Sequence, residues 1–222
     1  KFTLADGMVF DREGLEQSSG EKISFYRARR YKGQNRVVDL CCGIGGDTIA
    51  LAQQGEVVSL DLNPVRVGMT RWNAEVYNSG NRVRSVCSNL LSWIPETNAI
   101  FMDPSRRKLG RRFLRPRDYF PPIQTKRLFA ITPNVGIKVA PGIPHEDIPP
   151  NCETEFISEH GTCKEAVFWF GNLKTGSVRR ATLLPSEATM TERSSSAAII
   201  RPPGRYLYEP DNAVIRAHLI DQ

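Results

Sequence analysis

The 222-residue chain has no apolar run of membrane-span length, so no transmembrane helix is expected from it. No signal-peptide pattern opens it. It has five cysteines, an odd number without C-x-x-C spacing, which argues against a disulfide framework and a zinc site. The three histidines, His145, His160 and His218, are scattered without ligand-like spacing, so no metal is expected. Proline is scarce early. Fourteen of the fifteen lie at or after Pro95, which marks the second half as looped where the first is regular. Internal repeats and low-complexity tracts are absent. A reducing, cytoplasmic setting follows from the cysteine usage. The chain opens on Lys1 rather than Met and closes inside a helical pattern, which reads as a piece of something longer.

The 40% hydrophobic content is enough for one sizeable domain. Its centre is Val37-Val38-Asp39-Leu40-Cys41-Cys42-Gly43-Ile44-Gly45-Gly46-Asp47. A β-branched run ends in an acid, a glycine-rich turn follows, and a helical pattern from Asp47 to Gln54 opens. Strand, glycine loop and helix let backbone approach a nucleotide-like ligand closely. A dinucleotide fingerprint would need a third glycine where Thr48 stands, and Asp39 at the strand end would repel a pyrophosphate. An acid there suits a cation, either an α-amino group or a sulfonium. A second strand, Glu56 to Asp61, also ends in a carboxylate, placed to accept from ribose hydroxyls. Asn63-Pro64 then starts a helix whose Val65, Met69, Trp72 and Val76 share a face, with Trp72 expected in the core.

These features resemble the class I S-adenosylmethionine methyltransferases. The resemblance implies an α/β, Rossmann-like fold: a central, mostly parallel sheet with one antiparallel strand and helices on both faces. It places Asp39, Cys41, Gly43, Gly45, Gly46, Asp47, Asp61, Leu62 and Asn89 around the cofactor, S-adenosyl-L-methionine. Asn89 stands where such enzymes commonly carry an acid for the adenine amino group. The apolar run Ala99 to Met102 reads as a buried strand ending at Asp103-Pro104-Ser105, the position of the amino-methyltransferase motif that holds an exocyclic –NH2. Ser105 replaces that motif's second proline and Arg106 its stacking aromatic, so Tyr119 or Phe120 is left to supply the aromatic face.

The wider set Leu15 to Ser18, Gly136 to Gly142, Gly161 to Ala166 and Tyr206 to Pro210 resembles a bacterial class I methyltransferase family with a C-terminal THUMP-like domain. Residues Gly7 to Asn78 are also similar to the trimethylguanosine synthases, although their Ser-Pro-Pro-Trp motif is absent. The first resemblance implies RNA as the substrate, and the second, with the Asp103-Pro104 motif, methylation at a base nitrogen. The alternatives are a small-molecule or protein acceptor, and an RNA-binding protein without turnover.

The net charge is +6, and Arg106, Arg107, Lys108, Arg111, Arg112, Arg115 and Arg117 crowd one segment, as a polyanion partner requires. Arg106, Arg107, Arg111, Arg112, Tyr119 and Lys138 are the candidate substrate contacts, and Glu165 a structural partner for a cation. The expected division is a helical lead-in over 1–35, the methyltransferase domain over 36–190, and a linker with the start of a C-terminal region over 191–222. Within the last, Ser194-Ser195-Ser196 reads as a mobile turn and Ala213 to Leu219 as a helix.

Overall fold

The computed structural model describes residues 1–108, 111–192, 202 and 204–220, with Lys108 described by its backbone alone. The Ser194–Ser196 turn lies outside them. In chain order the elements are α1 (Arg12–Gln17), α2 (Glu21–Ala28), β1 (Arg36–Leu40), α3 (Gly46–Leu51), β2 (Glu56–Asp61), α4 (Pro64–Val76), β3 (Val83–Cys87) and β4 (Ala99–Met102). A two-stranded hairpin, β5 (Arg107–Lys108) and β6 (Arg111–Arg112), precedes α5 (Thr125–Phe129). The second half adds β7 (Val135–Val139), β8 (Glu153–Glu159), β9 (Thr162–Trp169), β10 (Arg179–Leu184), β11 (Ala188–Thr191) and α6 (Asn212–Arg216).

Nine strands form one sheet in the order β11-β10-β8-β9-β7-β4-β1-β2-β3. Pairing is parallel from β7 through β4, β1 and β2 to β3. The central strands β1, β4 and β7 are buried, apart from Arg36 at the start of β1, because both faces are covered, and β4 is apolar throughout. Val38, Leu40, Ile100 and Met102 enter one core with Leu128 of α5 and Ala213 of α6. Val37, Ala99 and Phe101 enter the other with Ile23 of α2 and Ala50 of α3. This is the expected α/β architecture with helices on both faces. Two strands run against the rest. β9 is antiparallel to both neighbours, as anticipated for one strand, and β11 adds a second at the edge. The reversals follow from left-handed residues, His160 (φ 51) and Gly161 (φ 74) before β9 and Glu187 (φ 59) before β11.

Local chemistry explains several element ends and one difference from expectation. Asp11 accepts from the Gly14 N–H and so caps α1. α2 starts after Gly20 without a side-chain cap. Asn63 caps α4 and Pro64 opens it, but the buried face of that helix is Val67, Thr70, Asn73 and Ala74. Trp72 is 58% exposed and donates from Nε1 to the Gly7 carbonyl at 2.9 Å, so it is a surface strut and not core. α6 packs on β8, β9 and β10. Its Asn212 donates to the Gly161 carbonyl (2.9 Å), and Arg216 donates to the carbonyls of Pro141 (2.8 Å) and Ile143 (2.6 Å).

Candidate active site

A cavity of about 1230 Å³ lies over the carboxyl ends of β1, β2, β4 and β7. Open parallel sheets place their ligand crevice at this end. The loop from β1 to α3 forms part of the wall. Cys41 (φ 66), Gly43 (φ 57) and Gly45 (φ 89) are all left-handed, a path that glycine takes without strain. Gly45 also lets helix α4 close in, because a Cβ there would sit 3.0 Å from the Thr70 Cα. The polar face of α4 then clamps the loop. Thr70 Oγ1 donates to the Gly43 carbonyl (2.9 Å), and Asn73 Nδ2 donates to the carbonyls of Ile44 and Val9 (2.8 Å each).

Asp61 at the tip of β2 lines the cavity beside this loop. Its Oδ2 accepts from the Gly43 N–H and its Oδ1 from the Asn63 N–H, each at 2.9 Å. Each carboxylate oxygen has a second lone pair, so the group is oriented by backbone and can still accept from a ligand. Leu62, Asn89 and Leu90 continue the wall. The Asn89 Oδ1 caps the following turn by accepting from the Leu91 N–H at 2.9 Å, which leaves one lone pair on it. Where a Cβ of Gly43 would stand, nothing lies within 4 Å, so the loop faces open space.

Two of the loop residues expected at the cavity wall lie beneath it. Gly45 is turned against Thr70, and Asp39 is fully buried with its Oδ2 accepting from Thr48 Oγ1 at 2.5 Å. Burial, reinforced by Asp47, pushes the Asp39 carboxyl up to about 8, and its Oδ1 has no partner. Asp47 does line the cavity, but its carboxylate is held by Arg27, which also binds Glu165. Arg27 is 2% exposed, donates to Ser19 Oγ (3.0 Å) and stacks over the Phe101 ring at 4.9 Å. Burial opposes its charge, yet the carboxylates of Asp47, Glu165 and Asp103 outweigh burial and raise its pKa. Sequence reading missed Arg27 entirely, while Glu165 is the structural partner it anticipates. Burial pushes the Cys41 thiol well up, as fits a loop residue and not a nucleophile.

Asp103, Pro104 and Ser105 line the same cavity from the tip of β4. The Asp103 N–H donates to the Leu40 carbonyl at 3.2 Å, which ties the turn to the loop of β1. Lys138, buried in β7, donates from Nζ to Asp103 Oδ2 at 2.5 Å. Its ammonium is thereby engaged by an acid. The Ser105 N–H donates to the Phe120 carbonyl (2.8 Å) and the Phe120 N–H donates back to the Ser105 carbonyl (2.9 Å). This bridge sets Phe120, 55% exposed, on the cavity wall. Tyr119 turns the other way, against the expectation that it touches substrate. It is 3% exposed, its hydroxyl donates to the Leu114 carbonyl (3.0 Å) and accepts from the Ala140 N–H (2.9 Å), and it packs in the core. Arg106, Arg107 and Arg112 line the cavity, whereas Arg111 is exposed beside it, and Arg115 pairs with Glu146 and Asp147. Among the described residues no cluster of three or more His, Cys, Asp or Glu could hold a metal ion. No helix among them is long and apolar enough to cross a membrane.

Residues 34–114, which carry the glycine loop, Asp61 and the Asp103-Pro104 turn, match the family described as RNA cap guanine-N2 methyltransferase. An uncharacterized S-adenosylmethionine-dependent methyltransferase of Mycobacterium tuberculosis is 32% identical over 218 residues, 96% of this chain and 60% of that protein. The chain thus spans under two thirds of this curated relative. An uncharacterized RNA methyltransferase of Parasynechococcus marenigrum is 36% identical over 78 residues, 33% of this chain and 17% of its own. In three dimensions a Porphyromonas gingivalis protein provisionally described as a methyltransferase superposes with a TM-score of 0.74 at 24% identity, covering 94% of this chain and 57% of that one. An RNA methyltransferase of Salinibacter ruber in complex with S-adenosyl-L-homocysteine superposes with a TM-score of 0.51 at 17% identity, covering 69% and 92%. Such likenesses speak for the fold. Over nearly its whole length the chain is similar to an S-adenosylmethionine-dependent methyltransferase, and its fold is the Rossmann-like one of such enzymes.

Proposed function

We propose that this chain holds S-adenosylmethionine between the Cys41–Gly46 loop and Asp61 and methylates an exocyclic or ring nitrogen of an RNA base. The observation that carries this reading is the Asp103-Pro104 turn, facing the cavity beside the loop with an aromatic ring bridged onto it. Asp61 is preset to accept from the two ribose hydroxyls, with Leu62 and Asn89 along the adenine side. The bound cofactor supplies an electrophilic methyl on a sulfonium, a leaving group that needs no acid. The chain's own task is alignment and electrostatic support. Asp47 and Asp103, which line the cavity, face the cationic ligand, whereas Asp39 is buried beneath them and keeps its proton.

Lys138 fixes Asp103 through Oδ2. In this reading Oδ1 and the Pro104 carbonyl are left to accept from the acceptor –NH2 and point its lone pair. Asp103 then takes up the proton that the amine gives up. Phe120 supplies the aromatic stacking face that the sequence lacks at Arg106. Base–aromatic stacking is worth roughly 1–3 kcal/mol. The match to a guanine-N2 family supports a base amine, and the similarity to an uncharacterized RNA methyltransferase supports RNA. A THUMP-like RNA-binding module elsewhere in the protein is part of the same proposal.

The test is transfer of label from methyl-labelled S-adenosylmethionine into total RNA. Label enters RNA with the wild type, and is lost in Asp103→Ala while cofactor binding persists. Cofactor binding without label in any RNA pool refutes the RNA acceptor.

A further inference from the structure

The part of the cavity wall around the β5–β6 hairpin carries a charge arrangement that folding alone does not explain. In the β5–β6 hairpin Arg107 stands directly across from Arg112, and Lys108 across from Arg111. Like charges directly opposite on paired strands are destabilising. Arg106 adds a third guanidinium to the same wall, and its Nη1 is buried without a hydrogen-bond partner. Burial first, and then Arg106 and Arg107, lower the pKa of Arg112. The acid found against the three cavity-lining arginines is Glu16, 3.8 Å from Arg107, with both side chains about half exposed. Elsewhere this protein pairs its buried cations tightly, Arg27 with two carboxylates and Arg30 with Glu153 (2.7 Å) and Glu155 (2.8 Å). The arginine wall is under-compensated, and it adjoins Phe120 and Pro121 on the same cavity.

We infer that Arg106, Arg107 and Arg112 form a phosphate subsite that takes the phosphodiester flanking the nucleotide stacked on Phe120. This deepens the proposed function and rests on it. The acceptor is thereby a nucleotide read together with its own backbone, and a free base or nucleoside lacks half of the recognition. Guanidinium groups suit this role because they donate in a fork that matches phosphate oxygens and keep their charge.

The experiment measures binding of a fluorescein-labelled, mixed-sequence single-stranded RNA 15-mer by anisotropy across a salt series, with the cofactor present. Each lost phosphate contact reduces the slope of log K against log salt by roughly 0.7 on a single strand. Arg106→Gln/Arg112→Gln together should therefore flatten it by about 1.4. Arg36→Gln, which removes an exposed pair with Glu56, should leave it unchanged. Arg112→Gln alone, on the exposed strand β6, should give about half the effect and serves if the double variant does not fold. An unchanged slope in both variants, or no binding by the wild type, overturns the subsite. So does equal competition by poly-L-glutamate, which would reduce the wall to a general polyanion surface. Methyl transfer is scored separately. Label in RNA with an unaltered slope removes the subsite and spares the methyltransferase reading, whereas an altered slope without label does the reverse.

Discussion

Arg27→Met tests whether the floor of the cavity is held by charge pairing. The guanidinium is 2% exposed and is shared between Asp47 and Glu165, whose side chains are 11% and 2% exposed. Methionine fills most of the volume but strands two carboxylates in a low-dielectric site. Breaking a buried pair from one side costs about 3–5 kcal/mol. In a domain of this size 1 kcal/mol moves Tm by roughly 2–4 °C, so Tm should fall by roughly 6–20 °C. Thermal and urea unfolding followed by circular dichroism read this directly. Asp47 lies in the first turn of α3, directly after the glycine loop, so calorimetric affinity for S-adenosylhomocysteine should fall as well. The triple variant Arg27→Met/Asp47→Asn/Glu165→Gln removes the stranded charges and should recover most of the stability. A loss below about 1 kcal/mol in the single variant, or no recovery in the triple, would refute the argument.

Asp61→Ala removes the proposed ribose acceptor and two anchors of the loop, Gly43 N and Asn63 N. A charge-assisted bond is worth roughly 1.5–3 kcal/mol, so calorimetry should show cofactor binding weakened about 10- to 150-fold, and unaltered binding would remove Asp61 from the site. Asp39 gives a pH signature. Its folded-state pKa, pushed up to about 8, lies above the ordinary 3.8, so the folded chain keeps a proton that the unfolded chain releases. Its contribution is complete at low pH and is lost as pH rises from the lower value towards the upper. Asp39→Asn should flatten the stability profile across that interval, and profiles parallel to wild type in urea titrations would disprove it.

The tips of β1, β2 and β4 were legible because each is an apolar or β-branched run ended by an acid, and a buried parallel strand leaves that mark wherever it occurs. Helix α4 was legible as a helix but not in its orientation. Apolar periodicity favours Val65 and Trp72, whereas the loop it clamps needs hydrogen bonds, which Thr70 and Asn73 provide from the buried side. Arg27 left no local trace, because its partners Asp47 and Glu165 lie 20 and 138 residues away. Tyr119 and Phe120 are adjacent and both aromatic, so only the pairing of residue 120 with Ser105 decides which faces the cavity. Asp39 was found by motif, and its burial came from the packing of Thr48 and the strands around it.

Helix α6 bears on two loops at once. Asn212 grips the carbonyl of Gly161, next to His160 on the cavity wall, and Arg216 grips Pro141 and Ile143, just past the strand that carries Lys138. The helix is a tie rod across the rim. A displacement of α6 by any load on the chain is passed through one bond to the β8–β9 turn and through two to the segment beyond Lys138. Strain applied to α6 would thus reach the segments beside His160 and Lys138, both of which line the cavity.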